Sequence, residues 1–193
     1  MKLTLSELAE RVGHKIGTRL RGRELGKVFH RGLRDYISNV PQNNLIQFSL
    51  EDGIMMDVSF IDEVFGGIAE ARGRGELDGA AMLLIKVDPL DVDDIARILE
   101  GRPGYSTGLR NCVLPLDVEG TIKLIGKTED YVAETFAYLM DTGHANTADL
   151  ASDLGLALNT ASTRLKTLYD LGLATRKQQE TGRSYVYYML KAD

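Results

Sequence analysis

Residues 148–176 read ADLASDLGLALNTASTRLKTLYDLGLATR, two amphipathic segments hinged on one glycine. Leu150, Ala151 and Leu154 share a face of the first segment, and Ala161, Leu165 and Leu168 a face of the second, the spacing of helices packed on a core. Gly155 stands between them, where a sharp helix-to-helix bend calls for a left-handed residue. Thr147 is placed to cap the first helix, and Asp149 complements its dipole. Ala157 precedes the second helix where a hydroxyl cap would be usual, and Leu158 opens it. The buried stripe leaves Asn159, Thr160, Ser162, Thr163, Arg164 and Lys166 facing outward. Short hydrogen-bonding and cationic side chains of this kind read base edges and hold phosphates.

The flanks extend the pattern. A helix over about 129–142 carries Val132, Phe136, Leu139 and Met140 on one side and ends at Gly143, with His144 read as a turn residue. After Gly172, LATRKQ and SYVYYML alternate as two strands joined through Glu180-Thr181-Gly182-Arg183, a hairpin bearing Arg176, Lys177 and Arg183. Residues 128–193 thus resemble a bacterial winged helix-turn-helix domain, as in compact repressors of the MarR and ArsR type. The resemblance makes Thr147 to Leu154 the support helix, Leu158 to Leu171 the recognition helix and Leu173 to Leu190 the wing. It implies double-stranded DNA as partner and a homodimer as the binding form. Asn159, Thr160 and Thr163 are then the base-reading candidates, and Arg164, Lys166, Arg176, Lys177 and Arg183 the phosphate contacts.

Upstream the periodicity differs. KLTL (2–5), LIQFSL (45–50) and the apolar run from Ala80 to Ile85 read as strands, the last covered on both faces. Residues 21–38, 60–71 and 91–99 read as helices, and Asp52-Gly53 as a hairpin signal. NCVLPL and TIKLIG read as a second hairpin about Asp117–Gly120. The expectation is an α/β layered domain over 1–125 and a second domain over 126–193, divided after Gly126.

Within the first domain, MMDVSFIDEVFGGIAEA (55–71) resembles the strand-to-helix turn of STAS domains, found in anti-sigma factor antagonists. Residues 1 to about 100 are similar to the STAS-like family of unknown function, through Ser59-Phe60-Ile61-Asp62-Glu63. The resemblance implies sensing, dimerisation or docking of a protein partner, with Ser59, Asp62 and Glu63 as the candidate turn. In phosphorylated STAS proteins a serine follows the aspartate; Glu63 and Val64 stand there, so no phosphorylation of this turn is expected. Read without the resemblance, the two acids serve the helix dipole.

Charge is uneven. Eight basic residues between Arg11 and Arg34 face only Glu24, and six between Asn159 and Lys191 face Asp170 and Glu180, in a chain of net charge −5. Such local patches can meet an anionic partner despite an acidic total. The N-terminal stretch reads either as an exposed helix face with arginine stems on apolar surface or as an additional patch. No signal peptide, membrane span, metal-ligand spacing or nucleophile motif appears, and the single Cys112 fits a reducing compartment. A cytoplasmic regulator without catalytic activity or cofactor is the expectation. The competing class is a protein-interaction module in which the winged helix never meets DNA.

Overall fold

The computed structural model describes residues 1–50, 53–179 and 184–192. The chain enters through β1 (Lys2–Thr4) and α1 (Leu5–Arg11). A capping box joins them: the Thr4 hydroxyl accepts the Glu7 N–H at 3.1 Å, and the Glu7 carboxylate accepts the Thr4 N–H at 2.7 Å. After β2 (Arg19–Leu20), α2 (Arg23–Asn39) buries Phe29, Leu33 and Ile37 on one stripe. Next come β3 (Leu45–Ser49) and β4 (Met55–Met56). A helix in three pieces follows: α3 (Val58–Ile61), a π turn over Asp62–Gly66, and α4 (Gly67–Gly73). β5 (Ala81–Ile85), α5 (Pro89–Gly101) and the hairpin of β6 (Cys112–Val118) and β7 (Thr121–Lys127) complete this half.

These strands form a mixed α/β arrangement with a mostly parallel central sheet. Its order is β1-β3-β5-β6-β7, antiparallel only between β6 and β7. The turn expected at Asp52-Gly53 falls partly on Asp52, outside the described residues. The strands flanking it form no hairpin: β3 joins the central sheet, whereas β4 pairs in parallel with β2. Residues that alternate along a strand face opposite sides, and β5 uses both. Met82 and Leu84 point into a core shared with α1 to α5, and Ala81 and Leu83 into a second core on the other side.

That second core is built by the C-terminal elements: α6 (Asp130–Thr142), β8 (His144–Asn146), α7 (Thr147–Asp153), α8 (Leu158–Asp170), β9 (Ala174–Gln178) and β10 (Tyr185–Met189). Val132, Phe136, Leu139, Leu150, Leu165 and Leu168 belong to the same apolar cluster as Ala81, Leu83 and Val113 of the sheet. Polar ties reinforce the junction. Gln47 donates from Nε2 to the Lys191 carbonyl at 3.2 Å, and the Tyr169 hydroxyl meets Gln42 Oε1 at 3.0 Å.

Two local expectations are corrected. His144 is not a turn residue but the start of β8, paired with Tyr188 of β10 in a sheet of order β8-β10-β9, its ring stacked on that tyrosine. The cap of α7 is Asn146, not Thr147. Asn146 Oδ1 accepts the N–H groups of Ala148 (2.7 Å) and Asp149 (3.0 Å), and the Asp149 carboxylate accepts the Asn146 N–H in return (3.0 Å). Asn146 holds this place because it ends β8 in extended backbone, the conformation a cap needs. Gly155 takes φ 63° and turns the chain from α7 to α8.

Candidate nucleic-acid interface

α8 packs through Ala161, Leu165 and Leu168, each fully buried. Leu158, Asn159, Thr160, Ser162, Thr163 and Lys166 are exposed along the rest of it. The α7–α8 bend therefore sets the first two turns of α8 outward while its apolar stripe stays in the second core. Ala157 supplies no side-chain cap. Instead Asn159 Oδ1 accepts the Thr160 N–H at 2.9 Å, and the Thr163 hydroxyl donates to the Asn159 carbonyl at 2.9 Å. Both bonds stay within the helix. Among the described residues the Asn159 amide N–H₂ has no acceptor, so it remains a donor for an outside group. Asn159, Thr160, Thr163 and Arg164 line one open depression of about 350 Å³ together with Tyr131 of α6.

The expected phosphate contacts behave differently from one another. Arg164 is ion-paired with Glu134 of α6 and lies 5.7 Å from the centre of the Tyr131 ring. Lys166 pairs with Asp170 one turn on, at 2.5 Å. The Arg176 guanidinium carbon sits 4.0 Å from the Tyr169 ring centre and 4.2 Å from that of Tyr185. Lys177 is exposed, its ammonium 5.7 Å from the Tyr188 ring. Arg183 lies outside the described residues. The base-reading candidates thus cluster with Arg164 at the start of α8, while Lys166 and Arg176 gather near Tyr169 at its end.

The candidate partner turn sits elsewhere, on α3 and the π turn. Asp57, not Asp62 or Glu63, caps this helix, accepting the Phe60 N–H at 2.7 Å. The two acids stand a turn further in and are held by guanidinium groups rather than by the dipole. Arg102 donates to Asp62 Oδ1 (2.5 Å), the Asp62 carbonyl (2.7 Å) and Glu70 Oε2 (2.7 Å), and Arg23 to Glu63 (3.1 Å). A Cβ on Gly66 would come within 2.3 Å of Arg102 Nη1, so glycine there lets the guanidinium lie against the helix. Burial opposes the charge on Glu70, yet hydrogen bonds from Arg102, Arg74 and Ser106 hold its carboxyl down to about 2. Ser59, Asp62, Glu70, Arg102 and Tyr105 line a cleft of about 730 Å³ at this network.

Other chemistry is sparse. Cys112 is buried in β6, and burial pushes its thiol up to about 12, away from nucleophilic use. Among the described residues no group of three or more His, Cys, Asp or Glu could hold a metal ion, and no helix is long and apolar enough to cross a membrane. Sequence reasoning missed Tyr131, Tyr169 and Arg72 as neighbours of the outward cations. Only Tyr169 left a trace, three residues after Lys166 on one helical face. No protein-family model matches this chain, and no curated protein matches it.

Proposed function

We propose that the chain is a DNA-binding regulator whose residues 126–193 act as a winged helix-turn-helix, with α8 in the major groove and β9–β10 as the wing. Residues 1–125, read as a STAS-like domain, then serve sensing, dimerisation or docking of a protein partner, and the proposal assigns no reaction. The observation that carries it is the exposed start of α8, where Asn159, Thr160, Ser162 and Thr163 present hydrogen-bonding groups on a helix braced by α7. Asn159 is the best-placed base reader, because its amide N–H₂ is unspent and can donate to an adenine edge. The decisive experiment is binding of the full chain to selected and random duplexes across a salt series. Asn159→Ala should cost about 1–3 kcal/mol on the selected sequence only. Lys177→Ala should weaken all sequences and lower the salt slope by about 0.9.

A second reading, a protein-docking module, is favoured by the pairing of Arg164 with Glu134 and of Lys166 with Asp170, which spends two cations inside the chain. Absence of salt-dependent duplex affinity in the wild type would select it.

A further inference from the structure

A small cavity of about 220 Å³ opens where the two halves of the chain meet. Gln42 and Arg72 wall it from the sheet side, Lys166 and Tyr169 from α8, and Arg176 from β9. Arg72 is unusual in its burial, with 5% of its surface exposed. Its guanidinium donates to the carbonyls of Leu77 (3.1 Å) and Ala80, and among the described residues it forms no ion pair. Burial pulls it down to about 10, so it stays charged near neutrality. Asp78 on the same cavity wall favours the charge without pairing directly with it, and a buried charge that lacks a direct partner is costly. The two carbonyls use only part of a five-donor fork.

The neighbouring groups complete a receptor for an anion. Two tyrosine rings hold Arg176, fixing its planar fork at little further entropic cost on binding. Lys166 adds an ammonium group and Gln42 a neutral amide. Asp78 and Asp170 also line the cavity, so three cations face two acids, one of them already matched to Lys166. We propose that this cavity binds a small phosphate-type oxyanion, either inorganic phosphate or the head of a small phosphomonoester, through Arg72, Lys166 and Arg176. The volume sets the class: 220 Å³ lies below the roughly 300–1,000 Å³ of pockets for drug-sized ligands, so a nucleotide is too large. A duplex phosphate is disfavoured because it is held on a continuous backbone, and Arg72 is too deep to reach it. This site stands independently of the DNA reading. Its occupant would tie Arg72 on the sheet side to α8 and β9, joining the two halves by charge as well as by apolar packing.

The test uses the full chain, with heat unfolding and titration calorimetry in inorganic phosphate and in glycerol phosphate, each against chloride at matched ionic strength. A saturable rise in midpoint with either phosphate is expected. Lys166→Gln and Arg176→Gln should each weaken binding by about tenfold, the loss of one charge-assisted contact. Lys123→Gln, exposed on β7 outside the cavity, should leave it unchanged. Lys166 is exposed, so its variant keeps the test valid should a change at buried Arg72 prevent folding. Equal effects of phosphates and chloride, or equal losses in the Lys166 and Lys123 variants, would overturn the proposal. So would binding of a random duplex with no binding of either phosphate, since the cations would then serve the DNA backbone.

Discussion

Leu83→Ala tests whether the C-terminal helices and the central sheet share one core. Leu83 is fully buried on β5, on the face that belongs to the same apolar cluster as α6, α7 and α8. The substitution removes three carbons, worth about 2.4 kcal/mol in transfer at about 0.8 each. The cavity left behind raises this to about 3–4 kcal/mol, inside the range for buried leucines. For a chain of 193 residues each kcal/mol moves the melting midpoint by about 2–4 °C, so a drop of about 6–16 °C is expected. Tyrosine makes the assay selective. Six of the eight tyrosines (131, 138, 169, 185, 187 and 188) lie in the C-terminal part, and the chain has no tryptophan. Near-ultraviolet circular dichroism therefore reports mainly on the half that does not carry the substitution. The tyrosine and far-ultraviolet transitions should fall together. A tyrosine transition left at the wild-type temperature, with only the far-ultraviolet signal lowered, would refute the shared core.

Two further outcomes follow from the same contacts. A fragment of residues 126–193 loses the apolar face supplied by Ala81, Leu83 and Val113, and should show reduced helicity and bind a hydrophobic dye; a dispersed amide spectrum with no dye binding would contradict this. Glu70, ordinarily near 4.5, is held down to about 2, so its ion pairs stabilise the fold above pH 4.5 and are lost as pH falls towards 2. Glu70→Gln should thus cost about 1–2 kcal/mol near pH 7, discounted for partial exposure, and nothing near pH 2, as urea titrations at both pH values would reveal.

Much of the scaffold was legible because it follows periodicity. The run over β5 announced a strand covered on both sides, and Met82 and Leu84 do face one core while Ala81 and Leu83 face the other. The stripe of Ala161, Leu165 and Leu168 and the bend at Gly155 could be read for the same reason, since each is a local rule. β8 could not. His144-Ala145-Asn146 is too short to alternate, and only its pairing with β10 makes it a strand. Nor could the cap of α7 be placed, since Asn146 and Thr147 are both good caps and the end of β8 chooses between them. The π turn at Asp62–Gly66 has no sequence signature, and its acids are positioned by Arg102 and Arg23, each some 40 residues away. Of the outward cations, sequence could supply identity and face. It could not supply partners: Arg164 and Glu134 are 30 residues apart, and the Arg176–Tyr169 contact forms only when β9 returns beside α8.

Those partners change how the DNA reading should express itself in salt. Five cations on the helix and wing would suggest five released counterions and a slope near −4.5, at about −0.9 per phosphate contact. Arg164 and Lys166, however, already hold Glu134 and Asp170. A phosphate that takes either cation must displace its carboxylate, which then stands beside the DNA backbone as a like charge. Arg176 keeps its stack only while its fork stays against Tyr169 and Tyr185. Lys177 pairs with no carboxylate among the described residues and meets only the Tyr188 ring at 5.7 Å, with Arg183 adding at most one more cation. The expected slope is therefore about −1 to −2, with most of the affinity carried by the unspent groups at the start of α8. Glu134→Gln would free Arg164 and should steepen the slope by about one contact while leaving sequence preference intact. A wild-type slope near −4.5, unchanged by Glu134→Gln, would mean that the ion pairs open at no cost and do not tune the interface.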